Sequence, residues 1–184
     1  MTEQYLDRWF WYSLLLFVFL QTDHFLMRIF LFAVIFFVSS GLFAQDRNNA
    51  YIEKFNSLAV KIMCETGIPA SVILGIALHE SAAGTSKLCT KNHNHFGIKR
   101  KVRSKKSRSG YRTTYGKFES DLAAYEQFAS LISSKRFYNN LKGEMEYFKW
   151  LKAIKASGYA SSPKWLLQVD HIIKKYNLTR FDIQ

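Results

Sequence analysis

The stretch IPASVILGIALHESAAGTSKLCTKNHNHFGIK, residues 68–99, holds the pattern that decides the fold. Pro69 suits the first turn of a helix, where its missing N–H has no partner to lose. A helix is expected over residues 70–83, stopping near Gly84. Ile73, Ile76, Ala77 and Glu80 fall at i, i+3, i+4 and i+7, so a carboxylate shares the apolar face of that helix. An unpaired carboxylate there loses hydration, which favours its protonated form. A carboxylic acid kept neutral can hand its proton to a leaving oxygen. The plainer reading turns Glu80 toward solvent at the helix end, or pairs it with a lysine. On spacing alone the plainer reading is favoured.

Working outward, Tyr51, Phe55, Leu58, Ala59 and Ile62 recur at three- and four-residue steps and mark a helix upstream. Residues 85–95 are polar and read as a loop with a short turn. Segments 96–98 and 111–115 are expected to pair as strands around a basic stretch. Phe118, Leu122, Tyr125, Ala129 and Ile132 mark a third helix. Segments 144–156 and 163–176 read as two more, with Gly158 between them. The body, residues 45–184, is therefore expected to be one mainly α domain of α+β class with a small β piece.

Composition narrows the alternatives. The chain has 184 residues, 48% of them hydrophobic, which excludes a disordered protein. Two prolines and nine glycines exclude collagen and low-complexity linkers. Two cysteines, Cys64 and Cys89, are too few for a disulfide scaffold or a zinc cluster, although one disulfide between them is an option in an oxidising compartment. The net charge of +12 sits entirely in the body, because residues 1–44 carry two bases and three acids. That head holds two apolar runs, 9–20 and 29–38, each shorter than the roughly 20 residues that span a bilayer as a helix. The second has secretory-signal grammar: Met27-Arg28, an apolar core, then Ser39 to Ala44 with the small Ala44 just before the expected cut, although Leu42 fits a cleavage site poorly. Residues 1–44 are read as a targeting segment with the signal at 27–44 and Met27 as the true start. An uncleaved membrane anchor is the competing reading.

The motifs around Glu80 resemble the bacterial N-acetylglucosaminidases of glycoside hydrolase family 73, the autolysin and flagellar wall-hydrolase type. The elements that carry the resemblance are Ala77-Leu78-His79-Glu80-Ser81, Gly84-Thr85-Ser86 and Asn94-His95-Phe96-Gly97-Ile98-Lys99. Tyr115-Gly116-Lys117-Phe118-Glu119, Gly158-Tyr159-Ala160-Ser161-Ser162-Pro163 and the ending from Leu178 to Asp182 extend it over about residues 50–183. The resemblance implies a lysozyme-like helical domain with a small β lobe across a cleft. It implies Glu80 as the general acid, acting on the bond that follows N-acetylglucosamine in peptidoglycan. It also places Tyr159, Asn94, Phe96 and Tyr115 along the substrate, with Asn94 and His95 in a turn beside the cleft.

The second carboxylate departs from the family pattern. Glycosidases usually pair two carboxyl groups, yet residues 81–118 contain no Asp or Glu. Glu119 is the first candidate, followed by Asp121, which suits a charge at a helix N-terminus. Three readings stay open: Glu119 orients or activates water, the substrate's own N-acetyl group is the nucleophile, or activity is reduced. From Lys99 to Lys117 nine of 19 residues are basic. In an exported protein such a run meets the carboxylates of wall peptides rather than nucleic acid, and otherwise it is a solvated loop. The two close histidines, His93 and His95, lack a third ligand of metal-site spacing, so no metal and no organic cofactor is expected. Trp150, Trp165 and Phe148 are read as core residues. The expected protein is an exported, monomeric, endo-acting peptidoglycan hydrolase, an endo-beta-N-acetylglucosaminidase, that contacts the membrane only through residues 1–44. The alternatives are a non-catalytic wall-glycan binder with a degenerate site, and a membrane-attached basic binder of nucleic acid or anionic lipid.

Overall fold

The computed structural model describes residues 25, 29, 30, 47–103, 105, 106, 108 and 110–183. The chain separates into two compact units, Met1–Asp46 and Arg47–Gln184. The expected signal segment, its cleavage site and the Met27 start fall in the first unit, outside the described residues apart from Phe25, Ile29 and Phe30. Among the described residues no helix is long and apolar enough to cross a membrane.

The second unit begins with α1, residues 47–66, which buries Tyr51, Ile52, Phe55, Ala59, Ile62 and Met63 along one stripe. Helix α2, Ala70–Ser81, is the centre of the fold. It is buried from Ala70 through Leu78, so it is apolar all round rather than on one face. Its N-terminus is held from the far end of the chain. Asp182 accepts hydrogen bonds from the Ser71 N–H at 2.8 Å and the Ser71 hydroxyl at 2.6 Å. Burial raises the Asp182 carboxyl above the usual range, against the opposing pull of these two donors. The helix ends where Ala82 adopts a left-handed conformation and its N–H bonds back to Leu78.

Helix α3, Lys87–Asn92, lies within the segment expected to be a loop. Its six residues are too few to show a periodic stripe, and only Cys89 is buried; Ser86 caps it. Strands β1, Lys99–Arg103, and β2, Tyr111–Tyr115, then form an antiparallel hairpin in which Lys99 pairs with Tyr115 and Arg103 with Tyr111. The first strand is thus displaced from the expected 96–98. Phe96 and Ile98 are buried at the root of the hairpin, whereas both strands are exposed throughout and carry no apolar alternation to read.

Helix α4, Asp121–Ser133, starts behind the Ser120 cap and buries Ala124, Tyr125, Phe128, Ala129 and Ile132. The short α5, Tyr138–Leu141, leads to α6, Tyr147–Ala156, and α7, Trp165–Lys175; a 3-10 turn, Leu178–Phe181, closes the chain. Gly75 lets α7 come close to α2, since a Cβ there would meet the Ile173 side chain at 2.7 Å. That close approach carries Trp165, at the start of α7, to the C-terminal end of α2.

Candidate active site

Glu80 is the penultimate residue of α2 and is half-buried. It faces an open cleft of about 630 Å³. One wall is the segment from Gly158 to Ser162 with Trp165, and the other is Phe96 to Lys99 with Tyr115; Leu131 and Lys135 complete the lining. The carboxylate is neither unpaired nor bound to a lysine. Its Oε1 accepts a 2.8 Å hydrogen bond from the indole N–H of Trp165. Gly97, at φ +63°, brings its backbone against the same carboxylate, so that a Cβ there would lie 3.5 Å from Oε2. The indole bond orients the carboxyl while leaving it open to the cleft.

Tyr159 spans the cleft. Its hydroxyl donates to the Phe96 carbonyl at 2.8 Å, joining the loop before α7 to the root of the hairpin. Burial, and then the negative charge of Glu80, push this phenol well above its usual range, so it remains a donor. Lys155 holds the same loop by donating to the Ala160 carbonyl at 2.8 Å. The Phe96 ring stacks on Phe128 in the core, centroids 4.2 Å apart, and presents mainly its backbone to the cleft. Asn94 is buried, and its amide is spent on the chain itself. It donates to the carbonyls of Ile98 and Gly116 at 2.9 and 3.0 Å and accepts from the Ile98 N–H at 2.9 Å. Asn94 therefore shapes the hairpin root and does not line the cleft. Tyr115 borders the cleft with its ring exposed, 5.4 Å from the Lys99 ammonium.

The structure does not bring Glu119 into this cleft. Glu119 borders a neighbouring depression with Arg100, Lys117 and Glu126. Among the described residues that line the Glu80 cleft, Glu80 is the only carboxylate. Asp121 is committed elsewhere. Its Oδ1 meets His93 Nδ1 at 2.6 Å and His95 Nε2 at 3.0 Å. His95 is buried, and its Nδ1 lies 2.7 Å from the Tyr51 hydroxyl. A neutral ring with its proton on Nε2 satisfies both contacts. Burial lowers the His95 pKa, outweighing the carboxylate beside it. Burial works to raise the Asp121 carboxyl, but the two histidines hold it below the usual range. These side chains tie α1, the segment before the hairpin and α4 together. Cys89 is buried against the His95 ring and is not joined to Cys64, which is exposed.

Trp165 is the site residue that the sequence does not announce. It is buried like a core residue at 2% exposure, as expected, yet its indole N–H is the hydrogen-bond partner of Glu80. Leu131 and Lys135 likewise reach the cleft from the end of α4 without a motif around them.

A half-buried carboxylate at the end of a central helix, facing a cleft beneath a β hairpin, defines a lysozyme-like glycoside hydrolase architecture. The family described as mannosyl-glycoprotein endo-beta-N-acetylglucosaminidase matches residues 56–178. The chain belongs to this glucosaminidase family of glycoside hydrolases. It is 23% identical over 153 residues to the exo-glucosaminidase LytG of Bacillus subtilis, an alignment covering 74% of this chain and 54% of that protein. It thus spans about half the length of that curated relative. The fold is similar to the catalytic domain of the autolysin Auto from Listeria monocytogenes, with a TM-score of 0.58 and 20% identity over 74% of this chain and 88% of that one. It is also similar to the glycoside hydrolase domain of FlgJ from Salmonella typhimurium, with a TM-score of 0.56 and 18% identity over 72% and 90% of the two chains.

Proposed function

We propose that this chain is an exported peptidoglycan hydrolase that cuts glycan strands after N-acetylglucosamine, with Glu80 as the general acid. The observation that carries the reading is the Glu80 carboxyl, fixed by the Trp165 indole and open to a cleft of about 630 Å³. Family membership supports the reaction class, and the likenesses to an exo-glucosaminidase and to the catalytic domain of an autolysin support a wall glycan as the substrate.

In the first step, protonated Glu80 gives its proton to the glycosidic oxygen while the bond from that oxygen to the sugar C1 breaks. The N-acetyl carbonyl oxygen of the same sugar closes on C1 and takes up the developing positive charge, an accepted alternative to a protein nucleophile. Water then opens that ring, and the Glu80 carboxylate receives the water's proton. The absence of a second carboxylate among the described residues lining the cleft favours this route over one that uses Glu119.

Replacing Glu80 by Gln removes the transferable proton while keeping the acceptor for the indole N–H. Release of reducing ends from purified walls should fall at least about 100-fold, within the range that general acid catalysis contributes. A near wild-type rate overturns the assignment. Glu119→Gln should leave the rate within about threefold, and a loss comparable to Glu80→Gln would make Glu119 the second catalytic carboxyl.

A further inference from the structure

We propose that the cleft-side face of the β1–β2 hairpin is a binding site for the carboxylate-bearing peptide stems of the glycan strand. This rests on the peptidoglycan reading of the Glu80 cleft and goes beyond it by assigning what the basic hairpin recognises.

The two faces of the hairpin are identified by their contacts. Lys99 and its registered partner Tyr115 line the Glu80 cleft. Arg100, the next residue, turns the opposite way, lays its guanidinium 4.8 Å from the Phe118 ring centre and borders the Glu119 depression. Side chains alternate along a strand, and registered antiparallel partners share a face. Lys101 with Thr113, and Arg103 with Tyr111, therefore continue the face that Lys99 and Tyr115 begin. The result is three ranks, each with a cation on β1, and two of them with a tyrosine opposite. Same-face neighbours stand roughly 6.8 Å apart along a strand, so the ranks extend the cleft by about 13 Å.

All of these side chains are exposed, with Tyr111 at 51% and Tyr115 at 48%. No carboxylate lies anywhere in residues 81–118 to neutralise them from within the lobe. The row of cations offers charge to acidic substituents carried by sugars that leave the cleft along this face. Peptide stems provide such substituents, because they end in carboxylates. Cations and aromatic rings also suit single-stranded nucleic acid. Here, however, the face is continuous with the glycosidase cleft through Lys99 and Tyr115, and a strand leaving that cleft along the hairpin meets the ranks in order.

The test measures equilibrium binding of the full chain, carrying Glu80→Gln to prevent turnover. The ligands are glycan strands that bear stems and the same strands after the stems have been removed. The starting protein should prefer the stem-bearing strands. Lys101→Ser and Arg103→Ser should each weaken that binding about threefold at low salt and roughly tenfold together, consistent with exposed ion pairs. The loss should shrink in about 0.5 M salt. Arg112→Ser, on the opposite face beside Val102, should change binding less than twofold. Equal weakening on stripped strands, no weakening, or an equal effect of Arg112→Ser overturns the proposal. So does tighter binding to single-stranded DNA or to a phosphate-rich wall polymer than to stem-bearing strands. If the native chain releases no reducing ends but the stem-dependent binding holds, the hydrolase reading falls and the binding site stands.

Discussion

Trp165→Phe isolates the contact that places the Glu80 carboxyl. The substitution keeps an aromatic ring beside Tyr159, now 5.6 Å from the Trp165 ring centre, and deletes the N–H that reaches Oε1 at 2.8 Å. A hydrogen bond to a charged group contributes about 1.5–3 kcal/mol. If the bond acts by holding the carboxyl where the glycosidic oxygen will sit, that energy appears in the barrier. At 1.36 kcal/mol per tenfold, kcat should fall roughly 10- to 150-fold. KM should change little, because the N–H points at Glu80 and not at a sugar. The smaller ring also leaves a void where a 2% exposed side chain stood, at a cost of about 1–2 kcal/mol of stability. Thermal melting therefore accompanies kcat and KM for release of reducing ends from purified walls. A kcat within twofold of wild type in a folded variant refutes the positioning role. A raised KM with unchanged kcat would make the indole a sugar-binding group instead.

Asp182→Ala removes the cap on α2 and should cost about 0.5–2 kcal/mol, seen as a fall in Tm of a few degrees; an unchanged Tm would mean that the link from Asp182 to Ser71 contributes nothing. Tyr159→Phe deletes the donor to the Phe96 carbonyl and should cost about 0.5–1.5 kcal/mol in chemical denaturation, with Glu80-dependent turnover retained in part. A complete loss of turnover in a stable Tyr159→Phe protein would assign the hydroxyl to substrate. Stability should also depend on pH through His95. Its folded pKa lies below 6.5, so the unfolded chain binds more protons between that folded value and 6.5. Stability is then lost as the pH falls from 6.5 through the folded value, and Asp121, held low, adds a further loss below its unfolded value of 3.8. Urea midpoints that stay flat from pH 7 to pH 3 would contradict both.

How much of the site the sequence shows differs from residue to residue. The place of Glu80 at a helix end is legible because Pro69, the apolar run and Gly84 bracket one helix, but spacing alone favours a plainer role, and only the motif resemblance singles it out as the acid. Tyr159 is legible through its motif and does border the cleft. Asn94 sits in the expected turn, but its amide serves the hairpin root, a role that depends on where Ile98 and Gly116 come to lie. The first strand was expected three residues early because Phe96 and Ile98 are apolar for burial, while the true strand is a row of exposed cations stabilised by pairing with Tyr111–Tyr115. Helix α3 has too few turns to generate a period.

The linear chain by itself determined the longer helices, the basic character of the hairpin and the position of one carboxylate at the end of the central helix, since each depends on neighbours a few residues away; the short α3 and α5 escaped it. Only the tertiary structure decided that Trp165, 85 positions downstream, holds that carboxylate. It also decided that Glu119 faces another depression and that Asp182 fastens the start of α2 across 111 positions. These contacts arise where α7 and the chain end pack on α2, and side-chain packing between distant segments leaves no periodic trace along the sequence.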